Sequence, residues 1–114
     1  MIKTLGGRRL SRTSSHKKAT LRALVTSLLL HEKIKTTVAK AKELRRVADR
    51  IITQAKKGDH HLVRRTIQDK VVFRKLIEVI APRYTERHGG FTQIFRLERR
   101  RGDNSEVSLI RLVS

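Results

Sequence analysis

The sequence predicts an α+β fold, a two-layer domain of order α-β-α-α-α-β-β with its helices packed on one face of a small mixed sheet. Three observations carry that prediction. Between residues 14 and 81, apolar side chains recur at spacings of three and four, the period of amphipathic helices. A short β-prone stretch, Ile34-Lys35-Thr36, interrupts them. After Gly89-Gly90, two β-prone runs, Phe91 to Glu98 and Val107 to Val113, are separated by Arg99 to Ser105 and suggest a hairpin. Helices followed by strands around one core favour two layers, and 114 residues suffice for one modest core. The expected division is a basic extended arm, residues 1–13, and a single two-layer domain, residues 14–114.

The arm contains Gly6-Gly7 and no apolar periodicity, so it has no means of burying a core of its own. Ser14 and Ser15 can each cap the first helix, which runs to about Leu30. Its residues Leu21, Leu24, Val25, Leu28 and Leu29 share an arc of about 140°. The second helix starts at Thr37 as N-cap, repeats Val38, Ala41, Leu44, Ala48, Ile51, Ile52 and Ala55, and stops at Gly58. Asp59 caps a short helix to about Gln68. Asp69 caps a fourth, in which Val72, Phe73, Leu76, Ile77, Val79 and Ile80 make an apolar arc wide enough for a largely buried helix. Pro82 biases Ala81 away from helical geometry and ends that helix.

Charge narrows the function. The chain carries 28 Lys and Arg against 10 Asp and Glu, a formal net charge of +18. Packing so much like charge into one small globule costs self-repulsion, and a polyanionic partner removes it. The distribution is uneven, because Lys3, Arg8, Arg9, Arg12, Lys17, Lys18 and Arg22 all precede Glu32, the first carboxylate. On the second helix Lys42, Arg46, Arg50 and Lys57 cluster within about 80° opposite the apolar arc, with Glu43 and Asp49 at the margins. That stripe is read as a face that tracks phosphates, with ordinary solvated surface as the alternative. Arg99, Arg100 and Arg101 add a cationic hairpin loop.

The same residues argue against catalysis. With no cysteine there are no thiolate nucleophiles or thiolate metal sites. Ser14-Ser15-His16 places hydroxyl beside imidazole without a neighbouring carboxylate to orient it. Adjacent His60 and His61 point about 100° apart on a helix and cannot form a facial metal pair. Neither glycine pair belongs to a phosphate-loop or dinucleotide fingerprint. The expectation is therefore no enzyme, no cofactor, no metal and no small-molecule substrate. No apolar run approaches a membrane span, and no secretory leader is evident, which leads us to expect a cytoplasmic protein. Nucleic acid remains. Because only Phe73, Tyr84, Phe91 and Phe95 are aromatic, affinity should come mainly from phosphates rather than from extensive base stacking. A DNA-compacting protein is the alternative to an RNA binder at this level.

A series of blocks then narrows the choice: Arg12-Thr13-Ser14-Ser15-His16-Lys17, Leu24-Val25-Thr26-Ser27-Leu28, His31 to Thr37, Lys40-Ala41-Lys42-Glu43-Leu44-Arg45, Ala55 to Asp59, Ile80-Ala81-Pro82-Arg83-Tyr84 and Arg100-Arg101-Gly102-Asp103. In this order, and across nearly the whole chain, they resemble the ribosomal protein L17 family of the bacterial-type large subunit. The resemblance implies a structural constituent that binds large-subunit (23S-type) rRNA and supports subunit assembly and translation. It also implies a place near the nascent-chain exit of a cytoplasmic or organellar ribosome, beside neighbouring proteins including ribosomal protein L32. The residues expected at RNA are Lys3, Arg8, Arg9, Arg12, Ser14, Ser15, His16, Lys17, Lys18, Arg22, Lys42, Arg46, Arg50, Lys57, Arg99, Arg100 and Arg101. Two departures stand out. Met1-Ile2-Lys3-Thr4 differs from the family's Met-Arg-His opening, and the stretch from Arg65 to Asp69 is a few residues short, so the third helix is expected to be truncated or to merge with the fourth.

Overall fold

The computed structural model describes residues 14–99, 102 and 106–113. The arm, residues 1–13, and the loop residues Arg100 and Arg101 lie outside the described residues. The chain folds as α1 (Ser14–His31), β1 (Lys33–Thr37), α2 (Val38–Lys56), α3 (His60–Thr66) and α4 (Lys70–Lys75). A π-helical turn, Leu76–Ile80, and a short α5 (Ala81–Arg83) continue from α4, and β2 (Thr92–Arg99) and β3 (Glu106–Leu112) follow.

Helix α2 is the hub, because its apolar stripe is wide enough to be covered from several directions. It packs against α1, α3, the π-helical turn, α5 and all three strands. Ala41, Leu44, Ala48 and Ile52 are fully buried, and they join Val25, Leu28 and Leu29 of α1 with Val63, Val72, Leu76 and Ile80 in one core. Its end is fixed by Gly58 at φ +80°, a backbone conformation costly for any residue with a Cβ. The Gly58 amide reaches the Ala55 carbonyl at 3.1 Å and the Asp59 amide reaches the Gln54 carbonyl at 3.0 Å, the paired bonds of a Schellman turn. Thr37 and Asp59 occupy the N-cap positions expected of them, but neither side chain makes a capping bond. Asp69 does cap, accepting from the amides of Val71 at 2.8 Å and Val72 at 3.1 Å.

The C-terminal helical segment departs from expectation twice. It is not largely buried: Val72, Leu76 and Ile80 face the core, whereas Val71 and Val79 are 70% and 47% exposed. One flank of a wide apolar arc therefore has nothing packed on it among the described residues. Nor does Pro82 end the helix. Ala81 keeps helical angles and Arg83 is still helical. Proline has no N–H and its ring crowds the carbonyl four residues back. The backbone widens just before it, so that the Ala81 amide bonds to Leu76 five residues earlier. The helix absorbs the proline by widening, and α3 remains separate from α4 because Ile67 is extended.

The sheet is wholly antiparallel rather than mixed, in the order β1-β3-β2. Strand β2 returns as a hairpin into β3, and β1 takes the other edge of β3 in the same antiparallel sense. Ile34, Ile110 and Ile94 form a row across it. Ile110 and Ser108 are fully buried on that face, and the Ser108 hydroxyl donates to the Thr36 carbonyl at 3.2 Å. Only α1 and α2 make extensive contact with the sheet; the later helices pack on those two. A bulge between Arg96 and Arg99 twists the hairpin tip.

Candidate nucleic-acid interface

The basic stripe on α2 follows from helix geometry. Residues four apart advance about 40° around the helix, so Lys42, Arg46 and Arg50 drift slowly along one side and Lys57 falls beside them. All four are exposed, and none forms an ion pair with a described carboxylate. Glu43, expected at the margin of the stripe, is instead buried at 6% exposure, with Lys17 of α1 3.9 Å from its carboxylate. This takes one of the two acids at the stripe's margins off the exposed face. Lys17 itself is directed partly inward.

On α1, Ser15, His16, Lys18 and Arg22 are exposed; Lys18 and Arg22 run alongside the apolar arc of Leu21, Val25, Leu28 and Leu29, and only His16 lies opposite it. Ser14 begins the helix. Arg99 closes β2 and lies 3.7 Å from Glu106, which Arg96 also approaches at 3.5 Å, so this arginine is shared with a carboxylate. Lys3, Arg8, Arg9, Arg12, Arg100 and Arg101 lie outside the described residues.

Two clusters were not anticipated from sequence. Glu32 stands at φ +65°, a left-handed position that ends α1, and its carboxylate takes Arg83 at 2.5 and 3.3 Å and Lys75 at 3.1 Å. The hydrogen bond from Arg83, helped by Lys75, holds its pKa at about 2 against the ordinary 4.5. Lys75 also donates to the Leu30 carbonyl at 2.8 Å, so the clasp ties the α1–β1 corner to the end of α4 and to α5. The second cluster is the outer face of the sheet, where Arg111 is held over Phe95. Alternation along β2 and β3 hints at an outer face, but only the strand register shows which residues share it.

Among the described residues, Asp49 is the carboxylate pushed upward, because burial disfavours its charge. The Phe91 amide and Arg45 only partly offset that burial. A surface concavity of about 600 Å³ is lined by Arg64, Ile67, Lys70, Phe73, Arg74 and Ile77 among others, and no histidine lines it. Arg64 lies over the Phe73 ring at 4.8 Å. Among the described residues no group of three His, Asp or Glu side chains is placed to hold a metal, and no helix is long and apolar enough to cross a membrane.

The model of the family described as ribosomal protein L17 matches residues 20–113. The chain belongs to the ribosomal protein L17 family. Its relatives include a protein named large ribosomal subunit protein bL17 from Elusimicrobium minutum, 53% identical over 113 residues that cover 99% of both chains. Others of the same name come from Syntrophotalea carbinolica, 57% identical across 94% of this chain and 71% of the relative, and from Trichlorobacter lovleyi, 53% identical across 94% and 89%. Family membership accounts for the two-layer body between residues 20 and 113, which contains the whole α2 stripe and the sheet. Most of the acid-free head lies before that span.

Proposed function

We propose that this chain is a non-catalytic structural constituent of the large ribosomal subunit, holding large-subunit rRNA through phosphate-directed Lys and Arg contacts. The observation that carries the reading is the exposed stripe Lys42, Arg46, Arg50 and Lys57, unpaired with any described acid, in a member of the L17 family. The basic residues from Lys3 to Lys18 enter the RNA, those from Ser14 onward carried on the first turn of α1, while the stripe braces the domain on the surface. Phosphate contacts of this kind fix position without reading sequence, so specificity comes from the shape of the folded RNA. The expected neighbours are 23S-type rRNA and adjacent large-subunit proteins, L32 among them, and the expected location is the ribosome.

Sedimentation tests this directly. The native protein should travel with large subunits and resist a moderate-salt wash. In competition at fixed salt, a structured rRNA fragment should displace duplex DNA; preference for the DNA would make the protein a DNA-compacting one instead. Deleting residues 1–13 should impair subunit assembly more than it alters the folded body. A ribosome structure with residues 3 to 18 in solvent would refute the arm's role.

A further inference from the structure

The outer face of the sheet has a chemistry of its own. Strand register sets Lys33 beside Arg111 and Gln93, and in the next row Lys35 beside Leu109 and Phe95, all on the side opposite Ile34, Ile110 and Ile94. Lys33, Lys35 and Arg111 are exposed, and no acid lies in either row. Arg111 donates from Nε and Nη2 to Gln93 Oε1 at 3.2 and 3.1 Å, which holds its guanidinium 5.1 Å from the centre of the Phe95 ring. Even so, Phe95 remains 43% exposed, and Leu97 beyond it 47%. The result is an aromatic ring and a fixed guanidinium plane, open to solvent and flanked by two ammonium groups.

Charge selects the occupant. An apolar peptide would cover Phe95 but strip water from three cations without replacing it. The chain's own first 13 residues hold Lys3, Arg8, Arg9 and Arg12 with no acid, so they would meet like charge. A nucleotide satisfies both halves of the surface, since its base has a π-face and its phosphates are anionic. We propose that this face takes an unpaired nucleotide of the RNA, its base stacked against Phe95 and Arg111 and its phosphates drawn to Lys33 and Lys35. This rests on the rRNA reading above and adds to it one stacking position within a mode of binding otherwise led by phosphates.

The test uses the full chain, a labelled single-stranded adenine decamer and a fully paired RNA hairpin, with binding read by fluorescence anisotropy at one salt concentration. Phe95→Ala should weaken decamer binding about tenfold, the scale of one lost base stack, and hairpin binding less than twofold. Phe95→Trp should restore the decamer. Equal losses on both RNAs, or no loss on the decamer, would overturn the stack. If wild type still binds the hairpin with steep salt dependence in that case, the broader phosphate-led reading stands alone; if wild type binds neither RNA, both fall. In assembled subunits, a photo-reactive phenylalanine analogue at position 95 should cross-link to RNA. Cross-linking to a protein alone would assign the face to a protein neighbour and overturn the proposal.

Discussion

Substituting Glu32 probes a carboxylate that two cations hold strongly ionised. Its pKa of about 2, against the ordinary 4.5, corresponds to an unscreened upper bound of about 3.4 kcal/mol. The side chain is 35% exposed, so solvent screening reduces the contribution to about 1–2 kcal/mol. The sign follows from the downward displacement: the folded state favours the ionised form, so the stabilisation is complete above about pH 4.5 and is lost as pH falls towards 2. Glu32→Gln keeps the side chain's shape and removes its charge. Urea unfolding followed by circular dichroism should give a deficit of about 1–2 kcal/mol at pH 7 that disappears near pH 2. Backbone geometry adds a second signature. At φ +65° an alanine costs about 1 kcal/mol more than a glycine, so Glu32→Ala should be less stable than Glu32→Gly, the reverse of the order inside a helix. A deficit unchanged at pH 2, or Ala more stable than Gly, would refute the clasp as described.

Replacing Lys42, Arg46, Arg50 and Lys57 together by alanine should lower the slope of log affinity against log salt by about three for structured RNA, measured by titration at several salt concentrations, with little change in unfolding midpoint. Gly58→Ala should cost about 1 kcal/mol by urea unfolding from φ strain alone, because a Cβ there meets nothing within 4 Å. Asp49→Asn should raise stability at pH 7 by less than about 1 kcal/mol, because burial disfavours the native carboxylate's charge; unfolding at pH 3 should show the gain lost, since Asp49 is then largely protonated in the fold.

What the sequence reveals here divides along physical lines. Local periodicity is written in neighbouring residues, so α2, its Gly58 stop, its basic stripe and the Asp69 cap could all be read directly. Features that depend on what lies across the fold could not. Glu43 sits among cations on the helical wheel, yet α1 packs close enough to bury it beside Lys17. Val79 belongs to an apolar arc wider than the surface available to cover it. Pro82 obeys its local rule in losing a hydrogen bond, but the core contacts of Leu76, Ile80 and Ala81 keep the chain helical through it. The strand runs were legible as a hairpin, whereas the placing of β1 beside β3, and with it the Phe95–Arg111 face, depends on pairing between distant segments.

That pairing has a consequence for how the protein is made. The central strand of the sheet is the last element of the domain, and its partner β1 is separated from it by more than half the chain. During synthesis α1 and α2 can dock early through local contacts, while β1 waits beside them with its backbone groups unpaired until β3 emerges. Sheet closure is thus a late, long-range event that sets the pace of folding. Until then β1 is an unpaired edge, short and flanked by Lys33 and Lys35, features that disfavour pairing with another chain.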